Sequence, residues 1–270
     1  MQIGVYKDLS NHDYHADTES ISRSGLMEFK TSPFHYWNKY VNPNRPDREK
    51  TTDAALFGNA FHTMVLEPDT FDQRYAILPE GIDRRTKQGK ADFDDFLLKS
   101  AGKVALKADQ LETLRQMQQS VYNHTEAKEL IPNALYEHSI FWNDPHTGIK
   151  CKTRPDIWHD NMTVDLKTIS SADERTFQSS MMGYGYHLQA AMNREGIFHT
   201  GGKDIKNHVF ICVEKEFPFA VAVYILDITV LEHAHIEFKK LLTSFAECKQ
   251  KNEWRCYETK TIYLPGWVQQ

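Results

Sequence analysis

The chain has 270 residues, 40% of them hydrophobic, so it can bury a large core, and no apolar run predicts a transmembrane helix or a secretion signal. Its formal net charge of −5 argues weakly against a nonspecific nucleic-acid binder, but it does not exclude a nuclease whose local basic segments hold phosphates. The four cysteines lack CxxC spacing, which disfavours a zinc or iron–sulfur site, and we expect a cytoplasmic protein with no membrane partner.

The first part of the sequence predicts a helical portion. Residues 1–19 are polar and are predicted to be irregular. Ser22 precedes the apolar pattern of a first helix, and Pro33 begins a second one at a position where its missing N–H costs nothing. Residues 53–66 predict a well-buried helix that carries His62, because apolar side chains cover most of its surface.

The rest of the sequence predicts a sheet followed by helices. After a long helix at residues 109–129, turn residues separate three segments that predict an antiparallel meander, at 135–142, 149–156 and 162–168. Helices and further strands follow, at residues 172–182, 186–194, 208–213, 219–226 and from 228 onward. The tail at 252–270 is predicted to be irregular. Without a repeat or a linker, the sequence predicts one α/β domain over residues 1–270.

A predicted hairpin carries the main chemical pattern. Residues two apart on a strand share a face, so Asp165 and Lys167 project together while Val164 and Leu166 point into apolar packing. Asp156 ends the preceding strand. Carboxylate oxygens are the ligands that Mg²⁺ prefers, and an ammonium beside the metal can orient or help deprotonate a water molecule. The pattern favours a metal-dependent phosphodiesterase site over a salt-bridged sheet surface, which common residues of this kind also form.

Three other features could contribute to such a site. His62 is an ordinary hydrogen-bonded core residue unless its helix packs against the hairpin, in which case its imidazole would suit Mn²⁺ and other transition ions. Tyr186 and Gln189 share a helix face, which ordinary helix packing also explains. The densest basic run, at residues 84–90, is either a solvated loop or a segment that contacts phosphates.

The order of these features resembles the RecB-like branch of the PD-(D/E)xK nucleases, and most closely the phage-type exonuclease VIII (RecE) nuclease domains. The resemblance spans roughly residues 20–230. Each motif is weak alone, but their order and spacing are specific. The motifs are Ser22-Arg-Ser24-Gly-Leu26 with Phe29, Pro33, Phe34 and Tyr40, then Gly58-Asn-Ala-Phe-His62, the run from Arg84 to Lys90, Arg154-Pro-Asp156, Asp165-Leu-Lys167-Thr168 and Tyr186-x-x-Gln189.

The resemblance implies a restriction-endonuclease-like core, with a mixed central sheet flanked by helices, and a role for each matching residue. Mg²⁺, with Mn²⁺ as a substitute, would be bound by His62, Asp156, Asp165 and the backbone carbonyl of Leu166. Lys167 would orient or activate the attacking water, and Gln189 with Tyr186 would hold the lysine or the phosphate region. DNA would contact Arg84, Arg85, Lys87 and Lys90. Glu137, on the neighbouring strand, could be a further acid outside the direct ligands.

The resemblance also implies a reaction and partners. The reaction is the processive degradation of the 5′-ended strand of linear double-stranded DNA, which leaves 3′ overhangs for recombination. The partners are DNA ends, a single-strand annealing protein and further copies of the chain in a ring-like trimer or tetramer. The alternatives are an endonuclease or a 3′-to-5′ exonuclease of the same fold, or a non-catalytic DNA-binding domain. Ser32 stands where iron–sulfur members carry a cysteine, so no cluster is implied.

Overall fold

Within residues 1–45, 52–79 and 81–264, which the computed structural model describes, the chain forms ten strands and eleven α-helices. The strands are β1 (Gly4–Tyr6), β2 (Tyr75–Ile77), β3 (Val104–Leu106), β4 (Leu135–Tyr136), β5 (Ser139–Asn143), β6 (Lys150–Thr153), β7 (Ile157–Trp158), β8 (Met162–Ile169), β9 (Asn207–Glu214) and β10 (Val221–Ile225). The helices are α1 (Asn11–Ala16), α2 (Arg23–Thr31), α3 (Pro33–Tyr40), α4 (Asp53–Leu66), α5 (Phe71–Arg74), α6 (Lys87–Lys99), α7 (Ala108–Asn123), α8 (Thr125–Glu129), α9 (Glu174–Tyr184), α10 (Tyr186–Gly201) and α11 (Ile228–Lys251).

The main sheet confirms the predicted mixed architecture. Its five strands follow the order β10-β9-β8-β7-β4, with β8 parallel to β9 and the other pairs antiparallel. Side chains of β9 alternate between two cores. Val209, Ile211 and Val213 pack with α4 and α7, whereas Phe210 and Cys212 pack with α9 and α10. Helices therefore cover both faces, which explains why β9 is apolar along most of its length.

The predicted helical portion is present near the amino terminus. Ser22 caps α2 by accepting the Gly25 N–H, and Ser32 caps α3 directly before Pro33. The side chain of Thr52 caps α4, which spans the predicted residues 53–66. These caps satisfy backbone N–H groups that have no partner inside the helix, so the short polar side chains set the starting points of the helices.

Residues 1–19, predicted to be irregular, instead contain β1 and α1. The reason is tertiary. The ammonium of Lys152 donates to the carbonyl oxygens of Tyr14 and Asp17, each at 2.5 Å, and Arg154 donates to the carbonyl of Leu9 at 3.0 Å. β1 also pairs with β5. Distant side chains and a distant strand therefore order this segment, and its own polar sequence gives no sign of them.

The predicted three-stranded meander at residues 134–168 is wrong. β5 and β6 pair with each other in a separate three-stranded sheet, whereas β8 pairs in the main sheet with β7, which begins only after Asp156, the predicted end of the preceding strand. The chain changes sheets at Pro155, which has no N–H to continue a ladder. The first predicted strand is also divided, because Glu137 adopts a left-handed conformation with a φ of 53° between β4 and β5.

Three further segments differ from the sequence interpretation or extend it. The predicted helix at residues 109–129 is broken at His124, where α7 ends and α8 begins. Residues 69–86, for which no helix or strand is predicted above, include α5 and β2, which pairs in parallel with β3. The tail runs without helix or strand from Asn252 to Leu264, and residues 265–270 lie outside the described part. Among the described helices, none is long and apolar enough to cross a membrane.

Candidate active site

The site lies where one edge of β8 is left open. β7 pairs with β8 only opposite Val164 and Thr163, so among the described residues no strand pairs with that edge of β8 from Asp165 onward. The N–H of Leu166 donates instead to the Asp156 carboxylate, at 2.7 Å, and its carbonyl accepts from His62 Nε2, also at 2.7 Å. Two side chains thus take the place of a missing strand, and this is why they meet there.

The face of β8 that points toward α10 carries the charged pair of the predicted hairpin. Lys167 forms an ion pair with Asp165, whose side chain is completely buried. Gln189 donates from Nε2 to Asp165 at 2.6 Å, and its Oε1 lies 3.5 Å from the lysine ammonium. That ammonium also lies 5.0 Å from the centre of the Tyr186 ring. Asp165 and Lys167 on β8 therefore contact the predicted pair on α10, Tyr186 and Gln189.

The first turn of α10 is positioned by a glycine. Gly185, between α9 and α10, has a φ of 70°, which glycine adopts without strain. A Cβ at this position would lie 2.4 Å from Met27 Sδ. Glycine therefore suits both the left-handed turn and its closeness to Met27 on α2, and this turn brings Tyr186 to Lys167.

The opening beside β8 contains a second set of metal-ligating groups. The Nδ1 atom of His62 lies 3.6 Å from Asp156 Oδ2 and 3.7 Å from Glu137 Oε1. One ligand atom from each of these three residues lies within 4.8 Å of the others. An imidazole with two carboxylates at this spacing fits a divalent ion. From the sequence, Glu137 was expected to lie outside the direct ligands. Its left-handed backbone conformation, which no local sequence pattern predicts, accompanies its position beside His62.

The electrostatics of the site follow from burying several charges together. Burial works against ionisation of Asp165, but the Lys167 ammonium holds the pKa of its carboxyl below the ordinary value. Burial and then the Asp165 carboxylate raise the pKa of Asp156 to about 7. Burial opposes the charge on Lys167, yet the two aspartates outweigh it and raise the pKa of the lysine. The lysine is therefore an ammonium at neutral pH in this arrangement, and it can donate hydrogen bonds that orient a water molecule.

The predicted basic segment lies apart from this cluster. Arg84 stacks over the ring of Phe93, with its guanidinium carbon 4.1 Å from the ring centre, and Arg85 pairs with Asp83 at 2.9 Å. Lys87 and Lys90 are exposed in the first turn of α6. Within the described residues, none of these four basic side chains forms a hydrogen bond or an ion pair with the cluster beside β8.

Behind the site, His208 is a buried base that the sequence did not single out. It lies on β9 with Nδ1 2.6 Å from Thr163 Oγ1, and its Nε2 has no hydrogen-bond partner among the described residues. Burial lowers the pKa of His208 to about 4. The ordinary pKa is 6.5, so as the pH falls the unfolded chain binds this proton at a higher pH than the folded chain does. The stability that neutral His208 contributes is therefore complete above pH 6.5 and is lost as the pH falls toward 4.

We expect His208→Gln to make metal-free stability less dependent on pH. Each pKa unit corresponds to about 1.4 kcal/mol, so the wild-type chain should lose about 3 kcal/mol more than the variant between pH 7 and pH 4. Urea unfolding across this range measures the difference. His12→Asn, which changes an exposed histidine, is the control and should follow the wild type. If the free energy of unfolding fell equally between pH 7 and pH 4 in the wild type and in His208→Gln, the prediction would be wrong.

Comparison with known proteins identifies the fold. The structure of a protein from Eubacterium rectale, described as a "Putative exonuclease", aligns with a TM-score of 0.60 and 15% identity over 95% of this chain and 96% of that one. The structure of SSO0001 aligns with a TM-score of only 0.30, at 12% identity over 72% of this chain and 85% of that one, which is too low to indicate a shared fold. No curated protein matches the sequence significantly. The model of a family described as a PDDEXK-like domain of unknown function (DUF3799) matches residues 22–263. Because this match covers most of the chain, the protein belongs to the PDDEXK-like DUF3799 family and has the fold of the PD-(D/E)xK nucleases.

Proposed function

We propose that the chain is a metal-dependent exodeoxyribonuclease that hydrolyses phosphodiester bonds at the ends of linear double-stranded DNA. The observation that carries the proposal is the convergence of His62, Asp156, Asp165, Lys167 and Gln189 beside the open edge of β8. A purely structural salt bridge would need only the lysine and one aspartate. The family match adds support, because PD-(D/E)xK nucleases use divalent metals.

The proposed chemistry divides between the bound ion and the protein. Mg²⁺, or Mn²⁺ in its place, would polarise the scissile phosphate and activate water when held by Asp156, Asp165, the Leu166 carbonyl and His62. Lys167 would donate hydrogen bonds to the attacking water or to a phosphate oxygen. Gln189 would keep the carboxylate and the ammonium aligned, since its amide contacts both. Tyr186 would limit the movement of the lysine by packing against it.

We also propose a polarity and partners for the reaction. Both are supported by the resemblance of the ordered sequence motifs to those of the exonuclease VIII-type nuclease domains. Degradation of the 5′-ended strand would leave 3′ overhangs for recombination by a single-strand annealing protein. A ring-like homo-oligomer would keep the enzyme on its substrate. The structurally similar protein from Eubacterium rectale is described as an exonuclease, which agrees with action at DNA ends.

A digestion time course tests the proposed reaction. Linear duplexes labelled at the 5′ or the 3′ end should lose the 5′ label first, in Mg²⁺ and not in a chelator. Closed circular DNA should stay intact under the same conditions. Cutting of circles would indicate an endonuclease, and early release of the 3′ label would reverse the polarity. If none of these substrates were cut in Mg²⁺ or Mn²⁺, the proposed enzyme activity would be wrong.

We also expect the basic segment to contact DNA phosphates. Replacing Lys87 and Lys90 by alanine should weaken duplex binding and lower the slope of log affinity against log salt by about 2, since each lost contact contributes about 0.9. Fluorescence anisotropy in a chelator measures binding without cleavage. Lys249→Ala with Lys251→Ala, which removes two exposed lysines from the end of α11, is the matched control. An unchanged salt slope in the Lys87 and Lys90 variant would assign these lysines to the solvated surface.

A further inference from the structure

A row of aromatic rings leads from the core to the surface beside Lys167. The centre of the Tyr186 ring lies 6.0 Å from that of Phe210, which is completely buried, and 5.8 Å from that of Tyr184. The two tyrosine rings are stacked, with an angle of 29° between their planes. The Tyr186 ring is also the one that lies 5.0 Å from the Lys167 ammonium. The row therefore starts in the core, passes the candidate active site and ends at Tyr184.

Tyr184, the last residue of α9, is exposed to solvent. It is 62% exposed, and within the described residues its ring has no aromatic partner other than Tyr186 and its hydroxyl forms no hydrogen bond. The neighbouring Met182 is also exposed, and a Cβ added to Gly183 would meet no atom within 4 Å. The last turn of α9 thus borders open space that a further planar group can enter.

The backbone of Tyr184 is held in place although its ring is exposed. Arg23 on α2 donates to the carbonyl oxygen of Tyr184 at 3.0 Å, which satisfies an acceptor that the end of a helix leaves without a partner. The next residue, Gly185, lies close to Met27 of the same helix. A ring on a fixed backbone loses little conformational freedom when a ligand stacks on it, so the site is preorganised.

The positive charge beside this ring has no acidic partner. Within the described part of the chain, the half-buried guanidinium of Arg23 forms no ion pair, and its one hydrogen bond is to the Tyr184 carbonyl. A flat ring next to such a guanidinium matches a nucleotide, which combines an aromatic base with a phosphate. An apolar peptide would use the ring and leave the charge unpaired.

We propose that Tyr184 is a stacking platform for the base of an unpaired nucleotide at the end of the DNA, next to the phosphate that is cut. A base inside a duplex is already stacked on its neighbours, so only an unpaired or frayed base can lie on the ring. Because every base has an aromatic face, the platform should accept all of them. The inference deepens the proposed nuclease function and rests on it, since the platform would distinguish a DNA end from the interior of a duplex.

DNA binding by the metal-free full chain, in a chelator, tests the platform without cleavage. The probe is a labelled duplex with a short unpaired end, and its counterpart carries abasic sites at the unpaired positions. In fluorescence anisotropy, the wild type should bind the probe with bases more tightly than the abasic one. Tyr184→Leu should reduce this preference by about 5–150-fold, the range for one base stacked on an aromatic side chain. Tyr184→Phe, which keeps the ring, should retain the preference.

The control and the wild type keep the test decisive. Tyr257→Leu changes another exposed tyrosine, in the tail after α11, and should behave as the wild type. Equal binding of the two probes by the wild type would exclude base stacking without the use of any variant. An unchanged preference in Tyr184→Leu would exclude this residue, and a different oligomeric state of that variant in light scattering would then make the ring a contact between copies of the chain. An equal loss in Tyr184→Phe would assign the effect to the hydroxyl and not to stacking.

The outcomes also separate this inference from the proposed function. If the wild type digests DNA in Mg²⁺ but binds both probes equally, the nuclease stands and the platform is wrong. If the preference is present and Tyr184→Leu removes it, but no DNA is digested in Mg²⁺ or Mn²⁺, the platform stands and the nuclease proposal fails.

Discussion

Replacing Lys167 by methionine should reduce DNA digestion by about 10²–10⁴-fold, the range that a positioned proton-donating or charge-stabilising group contributes. Methionine keeps the unbranched stem beside Tyr186 and removes only the ammonium. The loss should appear in the rate of cleavage at saturating DNA, because the group acts on the reacting phosphate or water. Duplex binding measured in a chelator should change little.

The controls for this prediction separate catalysis from folding and from metal binding. Lys206→Ala changes an exposed lysine just before β9 and should digest DNA at the wild-type rate. Manganese binding to Lys167→Met should be unchanged or tighter, since one positive charge has left the neighbourhood of Asp165 and no ligand has been lost. Digestion at the wild-type rate would exclude the ammonium from the reaction, whereas lost metal binding would show that it acts by holding the site together.

Asp156→Asn should stabilise the metal-free protein while it abolishes activity. The Asp156 carboxyl is buried beside Asp165, and its pKa is raised to about 7. Ionised Asp156 therefore destabilises the fold above pH 7, and this destabilisation disappears as the pH falls toward the ordinary value of 3.8. Asparagine removes the charge, and its side-chain oxygen still accepts the Leu166 N–H. We expect the variant to be more stable at pH 8 by about 1–3 kcal/mol.

Unfolding in urea with a chelator, at pH 8 and at pH 5, measures this effect. The advantage of Asp156→Asn should be largest at pH 8 and should shrink at pH 5. Added Mg²⁺ should raise the stability of the wild type but not that of the variant, because a ligand stabilises only the state that binds it. Asp94→Asn, on the exposed surface of α6, should have no effect in either buffer. A less stable Asp156→Asn would mean that the carboxylate is needed for folding.

The combined result would identify Asp156 as a residue kept for function at the expense of stability. Buried like charges are unfavourable in a metal-free protein, and a bound cation removes the penalty. The wild type should therefore gain more stability from a divalent ion than any variant that lacks one of the carboxylates. This comparison needs only melting curves, so it remains informative even if the natural substrate differs from duplex DNA.

Local sequence patterns were sufficient for much of the fold. The helix starts at Ser22 and Pro33 were predictable because capping and proline geometry act within one turn. The turn before β8 was predictable because polar residues separate two short apolar segments, but β7 was not, since it lies after Asp156, where the predicted strand ends. The division of residues 134–168 between two sheets was not, since the choice of partner strand depends on β1 and β9, which are far away in the sequence.

For the site, the sequence by itself determined that Asp165 and Lys167 share one face of β8, because alternation along a strand is a local property. Only the tertiary structure decided that β7 stops short, which leaves the edge of β8 open for His62 and Asp156. It also decided that Glu137 joins them. His62 lies 104 residues before Leu166, and the contact forms because α4 packs against the sheet, a global arrangement of apolar surface that no local pattern encodes.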